Sequence, residues 1–132
     1  MTLLTCTNIA VPAYQNYVKK SELGAVLATV TALKVNVEDK IATAGSFPTI
    51  ANADIASDLG ASTTSLGTLE TKQATGGTTN GQIILTLGST TQNSGSKLAL
   101  ERDTGGTWKC VTNIVSTASA TYPKGCSNGT VL

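Results

Sequence analysis

Apolar residues at Leu23, Val26, Val30, Leu33, Val37, Ile41 and Ala44 recur at steps of three and four, and this run constrains the fold more than any other feature. Such spacing puts them on one stripe of an α-helix, and Lys20, Lys34 and Glu38 fall off it. The pattern predicts a helix from Pro12, where a missing N–H does no harm in a first turn, to about Ala44. Gly45 then suits a left-handed C′ position, and Pro48 forbids continuation. A helix of roughly 33 residues is about 50 Å long. A domain of 132 residues cannot bury that length throughout. Part of the helix is therefore expected to project, or to pack on something else.

The rest of the composition narrows the function. The chain has no histidine, which removes the commonest general base and metal ligand together. Serines and threonines are numerous, but nothing activates them, so the inventory argues against an enzyme and calls for no cofactor. Nine basic and eight acidic residues leave a net charge of +1, without a charge run that would suggest nucleic acid or an anionic membrane as an obligate partner. Lys19-Lys20 reads as a solvated helix face. No apolar run is long enough for a transmembrane helix, and residues 1–10 lack the pattern of a signal peptide, so the chain as given reads as soluble.

Beyond the helix, residues 45–80 are rich in Ala, Ser, Thr, Gly and Asn and are expected to form a connecting loop, with one short helix near 52–59. After it the period changes to two. QIILTL (82–87), KLALE (97–101) and WKCVTNI (108–114) read as strands, with a turn at 103–106 between the last two. The connections are too short for crossover helices, so the sheet is an antiparallel meander. The expected class is α+β: a long N-terminal α-helix packed against a meander of about four strands over 81–132, with Trp108 between sheet and helix.

Cys110 and Cys126 bracket fifteen residues. A bridge between them would close a loop worth about 3 kcal/mol in the chain-entropy model. The alternatives are two separate buried thiols or a metal site, and two cysteines without histidine cannot complete a zinc shell. The bridge is the favoured reading, and it implies an oxidising compartment. Cys6 is left over, in a stretch without periodicity or charge.

Four stretches then converge. IAVPAYQNYVKKSELG (9–24), ALKVNVEDKIATAGSFPT (32–49), WKC (108–110) and YPKGC (122–126) together resemble a type IV pilin of Gram-negative bacteria, a-type subclass. In that family an apolar half-helix with a glutamate near the mature N-terminus precedes this point. Residues 1–8 do not match it, and Thr5 stands where the glutamate would fall. The expectation is a truncated, monomeric chain without a membrane segment, with residues 1–8 vector-encoded and 9–132 forming one pilin domain that ends in a disulfide-closed loop.

The resemblance implies a structural subunit of a pilus filament, extracellular, with an inner-membrane-anchored precursor. Its partners would be other pilin subunits, the pilus assembly machinery, and a host or abiotic surface or DNA. The roles implied are adhesion, twitching motility, biofilm formation and DNA uptake. One alternative is a pseudopilin of a type II secretion system, whose calcium loop Glu101 and Asp103 alone are too few to build. Another is a minor pilin acting as an adhesin or DNA-binding tip component. There Tyr122 would stack on a ligand and Lys124 would pair with anions, unless Tyr122 packs over the disulfide and Lys124 is merely solvated.

Overall fold

The computed structural model describes the chain in full from Tyr14 to Leu132, and the expectations for residues 1–8 and Cys6 lie outside the described residues. Two helices run end to end: α1 (Thr2–Ala32) and α2 (Lys34–Ala44). Pro12 thus falls inside α1 rather than in its first turn. One proline removes a single hydrogen bond from a helix this long and does not bar helix on both sides of itself.

The interruption at Leu33 has a local cause. The Thr29 and Thr31 hydroxyls donate back to the Ala25 and Leu27 oxygens at 2.9 and 2.6 Å, a competition that tends to bend helices. Leu33 N–H then bonds Val30 O at 3.2 Å, a tighter turn, before Val37 N–H resumes the helical pattern on Leu33 O. The stripe passes straight through: Leu23, Val26, Val30, Leu33, Val37 and Ile41 are all buried, although Ala44 is exposed where the helix ends. Gly45, at φ 78°, caps α2 with its N–H on Ile41 O.

A 3₁₀ turn (Asn52–Asp54) and a short helix, α3 (Ile55–Leu59), follow. The sheet comprises β1 (Gly67–Gln73), β2 (Gly81–Leu87), β3 (Lys97–Arg102), β4 (Trp108–Thr112) and β5 (Cys126–Asn128). Strand order follows the chain. The first four are antiparallel neighbours, and β5 lies parallel to β4. Leu69, Ile83, Leu85, Leu98, Leu100 and Cys110 face the helix stripe and form the main core with it.

β1 corrects the expectation of a loop over 45–80. Its sequence, GTLETKQ, has one large apolar residue, so no strand period is legible in it. Distant partners build it instead. β2 pairs along one side, and on the other Ile50 exchanges two main-chain bonds with Thr71, while Asn52 Oδ1 and Thr49 Oγ1 accept the Leu69 and Gln73 N–H groups. The outer edge of the sheet is thereby closed to further pairing.

Candidate functional site

The buried stripe leaves the opposite side of the helix unpartnered. Tyr14 and Tyr17 are 68% and 73% exposed, and Ser21, Gly24, Ala25, Ala28, Thr31 and Val35 continue the exposed face, with Val35 75% exposed. Among the fully exposed positions from Ser21 to Ala32, none is charged. The Thr31 hydroxyl is spent on its own helix backbone, and Gly24, Ala25, Ala28 and Val35 carry no side-chain hydrogen-bonding group. Small side chains let another backbone approach closely, and the two tyrosines supply large contact area at its end. Periodicity alone located the buried stripe; the exposed small residues were missed, although they sit on the complementary phase.

Two carboxylates fix this helix to the sheet. Glu22 accepts the N–H groups of Gln92 and Asn93 and the Asn93 side-chain amide, at 2.9–3.2 Å, and so clamps the β2–β3 loop onto α1. Further along, Glu38 Oε1 accepts Arg102 Nε–H at 2.7 Å and the Trp108 indole N–H at 2.8 Å. Arg102 also donates to Thr79 O, which ties the β1–β2 loop into the same cluster. The bond from Arg102 is the main cause holding the Glu38 carboxyl below its ordinary pKa; partial burial pushes the other way, and Trp108 and Lys34 assist. Lys34 lies 5.9 Å from the Trp108 ring centre, and the Phe47 ring packs against Trp108 itself, tilted, with ring centres 6.1 Å apart.

At the far edge of the sheet, Cys110 and Cys126 form a disulfide with a Cα–Cα distance of 4.5 Å, in register across β4 and β5. The loop they close folds on itself. A 3₁₀ helix (Ser116–Thr121) leads to Tyr122, whose hydroxyl donates to the Ile114 oxygen and lies 3.0 Å from that of Val115. Asn128 Nδ2 donates to the same Ile114 oxygen at 2.7 Å. Tyr122 is buried, so its ring is not free to stack on a ligand as expected for a binding residue. A phenol with two main-chain acceptors beside it is drawn inward. Lys124 stands exposed in the turn that ends at Gly125 (φ 89°).

A groove of about 450 Å³ lies where α1, the β2–β3 loop and the closing loop meet, with Asn16, Lys19, Asn93, Val115 and Thr117 in its walls. Neither Tyr122 nor Lys124 lines it. Among the described residues, no cluster of three or more His, Cys, Asp or Glu side chains is placed to hold a metal. Asp103 accepts Thr107 N–H within its own turn, and Glu101 is taken by Gln82 and Lys109. Nor, among the described residues, is any helix long and apolar enough to cross a membrane. The described geometry is an exposed helix face and, at the far edge of the sheet, a covalently closed loop. A family described as Pilin (bacterial filament) matches residues 19–127.

Proposed function

Since the chain belongs to the pilin family, whose members build bacterial filaments by assembling with other pilin subunits, we propose that it is the structural subunit of a type IV pilus, of the a-type. The observation that carries this reading is the exposed helix face from Tyr14 to Val35, without charge between Ser21 and Ala32, back to back with the stripe that holds the sheet. One helix then serves two surfaces: one builds the domain, and the other meets neighbouring subunits. The sheet and closing loop point outward, with Lys124 available to a host or abiotic surface or to DNA, in adhesion, twitching motility, biofilm formation or DNA uptake. The protein is not an enzyme. Its filament is extracellular, and its precursor is held in the inner membrane until the assembly machinery draws it out.

The experiment is performed in the filament-forming protein. Ala28→Arg places a charge and a long side chain at the centre of the exposed face, where the isolated domain tolerates it. Filaments sheared from cells should contain the wild-type chain, identified by mass spectrometry, and should be absent or scarce for Ala28→Arg despite normal subunit levels. Wild-type filament yield from Ala28→Arg cells would refute the helix face as the contact.

A further inference from the structure

The outer face of the sheet carries an arrangement that assembly through the helix does not use. Cross-strand register aligns Ile84, Ala99 and Val111 in one row over β2, β3 and β4. All three are buried, in a cluster separate from the helix-facing core, and Val131 packs against them. A neighbouring row holds Gln82, Glu101 and Lys109. An antiparallel sheet with one face on a core commonly leaves the other to water, so a polar residue there is expected to be wet. Gln82 is 1% exposed.

The last residues of the chain account for both facts. Gly129 N–H bonds Thr112 O at 3.0 Å, and from there the tail crosses the sheet. A Cβ at Gly129 would lie 3.1 Å from Val111 Cγ1, so glycine lets the tail lie close against β4. Val131 then covers the apolar row. Gln82 Nε2 donates to Thr130 O and to Glu101 Oε1, both at 2.9 Å, and Gln82 Oε1 accepts Leu132 N–H at 2.9 Å. A single side chain thus satisfies alternate residues of the tail's backbone, as a partner strand would.

We infer that Gly129–Leu132 is a strap latched by Gln82, which opens as a unit of its own and switches the outer sheet face from covered to apolar. Three features separate its opening from unfolding. The row it covers belongs to a different cluster from the helix-facing core. The Cys110–Cys126 bridge stops any release at β5. Two of the bonds along the strap end on one side chain, so losing that side chain loses both. Segments with few buried contacts open at a fraction of the global free energy.

Amide hydrogen exchange on the folded chain, read residue by residue, tests this. In Gln82→Leu, protection at Leu132 should fall about tenfold or more, while β2 and β3 amides keep their wild-type rates. Val131→Ser, which leaves every strand sequence intact, should give the same pattern and covers the case in which Gln82→Leu fails to fold. Unchanged Leu132 protection in Gln82→Leu would overturn the latch. If β2 and β3 amides lose protection in step with the tail in Val131→Ser, the strap is not a separate unit and the inference fails.

Discussion

Removing the Glu38 carboxylate tests how the helix is held to the sheet. Glu38→Ala leaves an Arg102 guanidinium, its side chain 12% exposed, without its closest anion, and the Trp108 indole N–H without an acceptor. An orphaned buried donor costs about 1–3 kcal/mol, and hydrogen bonds to charged groups are at the upper end. Glu38 is itself 40% exposed, so water screens the pair and can replace part of it. The sum expected is about 2–3 kcal/mol, or roughly 8–12 °C in Tm for a domain of this size. Glu38→Gln keeps an oxygen for Trp108 and loses only the charge, so it should cost about half as much. The sign with pH follows from the lowered pKa. A depressed carboxyl stabilises the fold fully above its unfolded pKa, and that contribution disappears as pH falls through the folded value. The gap between wild type and Glu38→Gln, measured by urea unfolding followed by circular dichroism, should therefore be full at about pH 7 and close towards about pH 3. A Glu38→Ala cost below about 0.5 kcal/mol, or a gap indifferent to pH, would refute the account.

Val30→Asp buries an unpaired carboxylate in the centre of the stripe and should cost about 3–5 kcal/mol, seen as a lowered urea midpoint that partly recovers in acid. Reduction of the disulfide should cost about 3 kcal/mol by chain entropy, with thiol titration giving one free cysteine before and three after. Lys124→Ala, at an exposed turn, should leave stability within about 0.5 kcal/mol. In filament-bearing cells it should lower surface or DNA binding without lowering pilus yield. Loss of filaments from a stably folded Lys124→Ala would make the closing loop an assembly contact.

Much of this architecture is determined by the sequence alone, because local periodicity is a sufficient cause. Apolar positions at helical spacing, closed by Gly45 and Pro48, specify the helix, and six of the seven, Leu23 to Ile41, mark the side that is buried. A short β-branched apolar run in QIILTL and alternation in KLALE, each bounded by turn residues, mark strands whatever they pair with. The bridge was favoured from the cysteine count and the lack of histidine rather than from any period, and it took the β4–β5 register to bring Cys110 opposite Cys126. What only the tertiary structure decided are the features whose energy comes from distant partners. β1 exists because Ile50, Asn52 and Thr49 complete its edge, and nothing in GTLETKQ announces them. Tyr122 turned inward because the Ile114 and Val115 oxygens of its own loop sit where its hydroxyl can reach them. Gln82, polar and on the outward phase of its strand, is buried only because Thr130 and Leu132 return from fifty residues away to bond it. A hydrogen bond between residues far apart leaves no period in the sequence, so its place is set by folding itself.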